Sequence, residues 1–297
     1  MGSNPPDYSP HGQESLGRVP AGEPEILPPD GRYVPPAGYA PPPQPARKRP
    51  MWAVAPATYL LVGINCAVFL LMVARGISPL SPTVDQLINW GANNAGYVLL
   101  GDQWWRIVTA MFLHVGILHL ATNMWCLWNL GLLAEPLMGS LGVLAVYILT
   151  GAAGNLLSTL VNWQKFSDSN VFPAGAGASG AVFGIAGALI VLLASKRLPV
   201  PPSELKKLRR SVIYFAAINL FIGFSISAGT AVMGKGLNID NMAHLGGFAC
   251  GLLFAAPMVP RVGSPRRTFD LRLRGSMVMV TGLLVLFGFF LAHFAQC

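Results

Sequence analysis

Long apolar stretches recur along the chain after residue 50, and polar residues fall largely between them. Each stretch runs for about 17 to 20 residues, which lets an α-helix cross a hydrocarbon core of roughly 30 Å. We predict seven membrane-spanning helices, over residues 56–74, 111–133, 141–161, 179–195, 211–228, 242–258 and 275–294. The predicted fold class is therefore all-α, a polytopic bundle of about seven transmembrane helices.

Two segments outside the predicted spans stand out. Residues 1–50 hold 14 of the 25 prolines and no apolar run, a composition that cannot bury enough apolar area to offset the entropy of ordering. We therefore expect a disordered, Pro-rich tail. The loop of residues 75–106 is rich in Gly, Asn and Trp, and its length indicates short helices or a function of its own.

The distribution of charged residues predicts how the spans are oriented in the membrane. Charged residues make up only 11% of the chain, against about 25% in soluble domains, and most of the basic ones form three clusters on one side of the seven-span threading. These are Arg47, Lys48 and Arg49; Lys196, Arg197, Lys206, Lys207, Arg209 and Arg210; and Arg261, Arg266, Arg267, Arg272 and Arg274. The positive-inside rule predicts a cytoplasmic N-terminal tail and an outer C-terminus. The clusters also suit anionic lipid headgroups. Because no basic stripe is interleaved with aromatics, we expect no nucleic-acid partner.

Ser179 is the first candidate for chemistry. It follows a glycine-rich segment, residues 175–178, and begins a run that is almost wholly apolar. A serine where a glycine-rich loop meets a helix has its hydroxyl free and the amides of the helix N-terminus nearby. Those amides favour a developing negative charge, as an acyl-transfer oxyanion requires. The motif alone is also consistent with Ser179 as an ordinary helix N-cap.

His244 lies two residues inside the sixth predicted span. A histidine in a membrane is costly unless it is hydrogen-bonded, and imidazole is the usual base for a serine nucleophile. The alternative is a histidine that bonds a backbone carbonyl or caps a helix end. Ser179 and His244 both begin their spans from the outer side, so they lie at the same depth, which favours the catalytic interpretation. Asp240, one turn earlier, is a weak candidate to orient the ring because it lies in a loop.

Small residues would let these two spans approach each other closely. They are Gly180, Gly184 and Gly187 on the fourth span, and Gly247 and Gly251 on the sixth. Small residues at such spacings bring helix backbones into contact in lipid. That contact is needed if a serine hydroxyl is to reach an imidazole within about 3 Å.

The second predicted span carries His119 and Asn123, which are four residues apart and so face the same way. An imidazole and an amide aimed at a carbonyl oxygen would form an oxyanion hole together with the Ser179 amide, and a polar clamp between helices is the alternative. His114 lies five residues before His119 and the chain has no HExxH motif, so we expect no metal and no other cofactor. Glu135 is predicted to be structural and to bond the backbone of a neighbouring loop.

Five motifs in this order resemble those of the rhomboid intramembrane serine proteases, over roughly residues 56–258. Each is weak singly, but five in sequence at ordinary family spacing are specific. They are Trp105-Arg106 (similar to WR), His119 to Asn123 (HxxxN), Glu135 (where the family keeps a glutamate), Gly177 to Gly180 (GxSG) and Ala243 to Gly251 (AHxxGxxxG). The resemblance implies a Ser179 nucleophile and a His244 base, with His119, Asn123 and the Ser179 amide holding the oxyanion.

The chain departs from the family pattern at two places. Phe183 stands where many members have tyrosine, so the ring could still stack on the imidazole but no phenol hydroxyl is available. The seventh span, 275–294, is an addition to the six-span bacterial core and carries none of the motifs, which indicates a scaffold or a partner surface. The predicted domains are the tail 1–50, a rhomboid protease core 51–260, and a basic linker with an extra C-terminal transmembrane helix, 261–297.

The predicted function is that of an intramembrane serine endopeptidase, which hydrolyses peptide bonds in or near transmembrane segments through a Ser-His dyad. Its partners would be transmembrane protein substrates and membrane lipids. A bacterial plasma membrane is expected, since no signal peptide or organelle presequence is evident. One rival is a catalytically silent rhomboid-like binder of membrane proteins, although inactive relatives usually lose the serine or histidine that this chain keeps. A transporter is the other, and the clustering of polar residues towards the outer end disfavours it.

Overall fold

The computed structural model describes residues 51–295, apart from 170–172, 196–197, 199, 234–239 and 260–264. The predicted tail, 1–50, lies outside this part of the chain. The described residues form α1 (Met51–Val54), α2 (Pro56–Ala74), α3 (Val84–Asn89), α4 (Ala95–Leu99), α5 (Arg106–Thr109), α6 (Ile117–Ser169), α7 (Ser179–Leu192), α8 (Pro202–Met233), α9 (Asn241–Ala255) and α10 (Arg266–Phe294). Two short strands, β1 (Asn93–Asn94) and β2 (Ala174–Gly175), pair antiparallel.

The all-α fold class is confirmed, and each of the seven predicted spans contains a helix. Among the described residues, three helical segments are long and apolar enough to cross a membrane: Pro56–Ala74, Ile117–Gln164 and Arg266–Phe294. The helix Ser179–Leu192 is equally apolar in character but shorter. The protein is therefore an integral membrane protein built from helices.

The long helix α6 is two helices in succession. Gly139 interrupts it with φ 74° and ψ 167°, a backbone conformation that side-chain-bearing residues rarely adopt. Pro136, which lacks an amide hydrogen, lies three residues before the break. The two halves correspond to the separate spans predicted over 111–133 and 141–161.

The predicted start of the second span, at residue 111, is wrong. Ala110–Phe112 form a turn of 3-10 helix, Leu113 is extended, and α6 begins only at Ile117. Gly116, with φ 139°, turns the chain into the helix. Apolar residues occupy both sides of this turn, so hydropathy cannot separate the turn from the helix.

Helix α7 forms the centre of the fold and packs against both α6 and α9. Nearly all of its residues are buried, including Ile185 and Leu189 with no exposed surface. Helix α2 packs on α6, and α10 packs on α6 and α9. Because lipid is as apolar as these side chains, close van der Waals packing rather than the hydrophobic effect holds such helices together.

The loop before α5 contains the short helices α3 and α4, as its length indicated. Arg106 fastens it. This side chain is 5% exposed, and its Nη1 donates to the carbonyls of Ile88 and Ala92 at 2.5 and 3.1 Å. Its guanidinium also lies over the rings of Tyr97 and Trp105. The Trp105-Arg106 pair therefore holds the loop together.

Glu135 caps the N-terminus of α2. Its Oε1 accepts hydrogen bonds from the Ala57 amide at 2.8 Å and the Ser140 hydroxyl at 2.6 Å. Its Oε2 accepts from the Thr58 amide at 2.9 Å and the Thr58 hydroxyl at 2.7 Å. The prediction of a structural role fits these contacts, but the backbone that Glu135 bonds belongs to a helix end, not to a loop. Helix N-termini leave amides unsatisfied, and the N-cap Ala55 has no side chain able to accept from them.

Glu135→Gln is expected to lower the free energy of unfolding by about 2 kcal/mol, because one carboxylate oxygen becomes an amide that faces donors. Chemical or thermal unfolding in detergent measures the change. Glu204→Gln is the control, since Glu204 and Lys207 form an exposed ion pair, which contributes less than about 1 kcal/mol. Equal stability of the two variants would contradict the assigned role.

Candidate functional site

Ser179 and His244 meet at the start of two helices. The Ser179 hydroxyl lies 2.8 Å from Nε2 of His244. Ser179 is the first residue of α7 and His244 lies in the first turn of α9. The N-cap position of α7 is Ala178, with no side-chain cap. The Ser179 hydroxyl is therefore engaged by the histidine and does not cap the helix, and the distance suits proton transfer from a hydroxyl to a base.

Paired glycines bring α7 and α9 into backbone contact. A Cβ added at Gly247 would overlap the carbonyl oxygen of Gly180, and one added at Gly251 would overlap that of Gly184. A Cβ at Gly187 would likewise overlap the Phe248 carbonyl oxygen. The predicted close approach of these helices is present. It is what brings a short serine side chain within reach of an imidazole on the neighbouring helix.

The segment before Ser179 is held by its backbone. Gly177 has φ 143°, and its amide donates to the carbonyl of Ala110 at 3.0 Å. Gly175 pairs with Asn93 in the short antiparallel sheet. The side chain of Asn93 in turn donates to the carbonyl of Asn155 on α6 at 3.0 Å. The serine thus follows a strand and a turn that are tied to other parts of the fold.

The His244 ring stacks on Phe183, one turn along α7 from the serine. Their centroids are 4.5 Å apart and their planes differ by 17°. The stacking expected of an aromatic residue at position 183 is therefore present without a phenol. His244 is 7% exposed, and its Nδ1 has no hydrogen-bond partner among the described residues.

Asp240 makes no hydrogen bond to the His244 ring. Its carboxylate accepts hydrogen bonds from the Ala243 amide at 3.0 Å and from the Ser158 hydroxyl at 2.5 Å. It is the N-cap of α9. The sequence placed Asp240 one turn before the histidine, but only the structure shows that it acts on the helix end.

His119 reaches the serine segment, while Asn123 bonds to its own helix. A Cβ at Gly177 would lie 2.7 Å from Cε1 of His119, so the imidazole packs against that glycine. Nδ1 of His119 accepts from the Val115 amide at 3.4 Å. The Asn123 amide donates to the His119 carbonyl at 2.9 Å. One N–H of that amide is used in this bond, and a primary amide has two.

His114 belongs to the same neighbourhood, which the sequence did not reveal. It is completely buried, and its ring centroid is 5.3 Å from that of His119. The sequence gave it weight only as a possible metal ligand. Among the described residues, no group of three or more His, Cys, Asp or Glu side chains is placed to hold a metal ion.

The chain is similar to known proteins over much of its length. A family model described as "Rhomboid domain" matches residues 101–261. The chain is 34% identical over 224 residues to Rhomboid protease GluP of Bacillus subtilis (strain 168), covering 75% of this chain and 38% of GluP. It is 32% identical over 207 residues to Rhomboid protease AarA of Providencia stuartii, covering 67% of this chain and 70% of AarA. It is 33% identical over 189 residues to RHOMBOID-like protein 6, mitochondrial, of Arabidopsis thaliana, covering 63% of this chain and 54% of that protein. The chain thus spans less than two thirds of two of these three relatives.

Proposed function

The chain belongs to the rhomboid family, and from this premise we propose that it is an intramembrane serine endopeptidase. The observation that carries the proposal is the 2.8 Å contact between the Ser179 hydroxyl and Nε2 of His244. Both side chains lie at the N-terminal ends of tightly packed apolar helices. In such surroundings a polar pair of this kind is usually functional. The names of GluP and AarA, both rhomboid proteases, support the same activity.

In the proposed reaction, the Ser179 oxygen attacks the carbonyl carbon of the scissile peptide bond, and its proton passes to Nε2 of His244. The resulting oxyanion lies near the amide of Ser179 at the N-terminus of α7, where the helix dipole favours negative charge. His119 and the second N–H of the Asn123 amide are the further donors that we assign to it. His244 then gives its proton to the leaving amine, and an acyl-enzyme remains.

Water then hydrolyses the acyl-enzyme. In this second half of the reaction water is the nucleophile and the Ser179 oxygen is the leaving group. His244 takes a proton from water, the hydroxide attacks the ester carbonyl, and Ser179 leaves with the proton restored. The stacking of Phe183 holds the imidazole plane while Nε2 alternates between base and acid. We propose a dyad of Ser179 and His244, joined by the hydrogen bond between the serine hydroxyl and Nε2.

The proposed substrates are membrane proteins cut in or near a transmembrane segment. A helical backbone hides its carbonyls, so helix-breaking residues near the scissile bond would favour cleavage. We place the site towards the outer face of a bacterial plasma membrane, with a cytoplasmic N-terminus and an outer C-terminus. The exposed basic residues at the start of α8 and of α10, including Lys206 and Arg266, support this orientation through the positive-inside rule.

The domain arrangement that we propose has a protease core over 51–260 and an additional helix within 261–297. Helix α10 packs against α6 and α9, while α7 and α9 hold the site. This position supports a scaffold or partner-surface role for α10, since the Ser179–His244 hydrogen bond and the stack of His244 on Phe183 both lie between α7 and α9.

The test is covalent labelling together with cleavage. Purified protein in liposomes is treated with a fluorophosphonate, and peptide mass spectrometry locates the adduct. We expect phosphonylation of Ser179 but not of Ser81, an exposed serine in the loop between α2 and α3. We also expect cleavage of a single-span reporter protein, blocked by the same reagent. A folded protein that shows neither the Ser179 adduct nor cleavage would exclude the proposed activity.

A further inference from the structure

Asp240 connects the three parts of the fold that form the site. Its Oδ1 accepts from the Ala243 amide in the first turn of α9, at 3.0 Å. Its Oδ2 accepts from the Ser158 hydroxyl on α6, at 2.5 Å. A Cβ added at Gly175 in β2 would lie 3.1 Å from Oδ2. One carboxylate therefore contacts α9, which carries the base, α6, and the strand that leads to the serine.

The turn that Asp240 caps is also clamped by packing. The carbonyl oxygen of Ala243 lies so close to Gly154 on α6 that a Cβ there would overlap it, and it packs against Gly180 on α7 as well. His244 is the next residue. A small rotation of this turn therefore moves the imidazole relative to Ser179. The backbones of α6 and α7 lie so close to the turn that α9 cannot shift to restore the distance.

A second hydrogen bond within α6 supports the bond between Ser158 and Asp240. The Asn162 amide donates to the Ser158 oxygen at 3.1 Å, and the Ser158 hydroxyl donates to Asp240. The hydrogen bonds therefore converge on the Asp240 carboxylate, which accepts from the Asn162–Ser158 pair of α6 on one oxygen and from the Ala243 amide at the start of α9 on the other. Bonds to a charged acceptor are the stronger kind.

We infer that Asp240 is a positioning residue for the base: it sets the place of His244 by fixing the first turn of α9, without touching the ring. Among the described residues no partner holds Nδ1 of His244. The ring is therefore located by its own backbone, by the Phe183 stack and by the serine. This inference rests on the proposed function for its kinetic consequence, and its structural consequence can be measured separately.

Two substitutions at position 240 test whether the hydrogen bonds of the side chain are what matters: one removes them and the other keeps them. Asp240→Ala removes the cap and the tie to Ser158. We expect it to lower kcat and the rate of Ser179 phosphonylation by up to about 100-fold, the effect of displacing a reacting group by about 1 Å, with KM nearly unchanged. Asp240→Asn keeps a cap oxygen of equal quality for the Ala243 amide, and its NH2 group can donate to the Ser158 oxygen, so both ties remain and the rate is expected to stay within about threefold of wild type. The control is Asp85→Ala, which removes an exposed carboxylate from the first turn of α3.

Hydrogen exchange provides the readout that does not depend on activity. In Asp240→Ala, amide exchange should rise in the peptide that covers the first turn of α9 and stay unchanged in α7, whereas Asp240→Asn and Asp85→Ala should match wild type. If Asp240→Ala does not fold, Ser158→Ala carries the test, because it keeps the cap and removes only the tie to α6. It should show a smaller change of the same kind.

The outcomes are distinct. If the first turn of α9 in Asp240→Ala exchanges its amides as in wild type, the inference is overturned. A folded Asp240→Ala protein that is phosphonylated at the wild-type rate would also overturn it. Where Asp240→Ala does not fold, the same two outcomes in Ser158→Ala decide. A loss of rate that only matches the unfolded fraction at the assay temperature would also overturn it, since that is a general stability effect. If wild-type Ser179 itself is unreactive, the proposed function fails, and the exchange measurement alone decides whether Asp240 fixes the turn.

Discussion

His244→Gln is expected to reduce peptide-bond hydrolysis by on the order of 10⁴-fold or more, as loss of the base does in serine hydrolases. Glutamine is similar in size and can still hydrogen-bond the Ser179 hydroxyl, which lies 2.8 Å from the imidazole in the native protein. It cannot take up the proton, so the nucleophile is no longer activated. Reporter cleavage in liposomes and Ser179 phosphonylation both measure the loss, and thermal unfolding checks that the variant is folded.

The same experiment tests whether the two residues act as one unit. Ser179→Ala should lose as much activity as His244→Gln, and the double variant should lose no more than either single one. Ser81→Ala is the matched control, an exposed serine remote in sequence from the site, and should cleave like wild type. Appreciable cleavage by a folded His244→Gln protein would contradict the role of His244 as base, and additive losses would contradict the dyad.

Gly247→Ala and Gly251→Ala are expected to destabilise the protein by more than about 3 kcal/mol each, beyond ordinary overpacking of a core. The added methyl groups would overlap the carbonyl oxygens of Gly180 and Gly184. These oxygens belong to backbone in the middle of the fold, so they cannot swing aside as a flexible side chain does. Helices α7 and α9 would have to separate, which also parts Ser179 from His244. Equilibrium unfolding in mixed detergent and reporter cleavage measure the two effects.

Gly282→Ala is the matched control for this pair. Gly282 lies in the membrane-spanning helix α10, and a Cβ there would have nothing within 4 Å. Alanine also favours a helix over glycine by up to about 1 kcal/mol, so the variant should be unchanged or slightly more stable. If Gly247→Ala were as stable as Gly282→Ala, the contact between α7 and α9 would be looser than the structure has it.

The spans were predictable because each is an apolar run of the length that a membrane requires. The predicted range 56–74 coincides with α2, and the start of the fourth span coincides with Ser179. The points at which helices begin and break were harder to predict from the sequence. Hydropathy showed two spans around Gly139 but missed the turn at Gly116, because turns made of apolar residues have the same hydropathy as helices.

The site was predictable in part for a related reason. Ser179 and His244 are polar residues at the starts of apolar helices, and the glycines that follow each of them mark one packed interface. Their meeting could therefore be inferred from depth and spacing. No pattern in the sequence marks the packing of His114 beside His119. The bond from Asn123 to its own helix depends on the side-chain rotamer, which the sequence does not specify.

The sequence by itself determined the helical membrane fold, the membership of the rhomboid family and the pairing of Ser179 with His244, because burial in lipid restricts composition strongly and motifs persist in order. Only the tertiary structure decided which polar groups bond to which. Glu135 caps a helix 77 residues earlier in the chain, and Asp240 bonds Ser158 across 82 residues. Such bonds depend on the distance and direction of single atoms, and these follow from how the helices pack. Periodicity records which face of a helix is buried, but not what lies opposite that face.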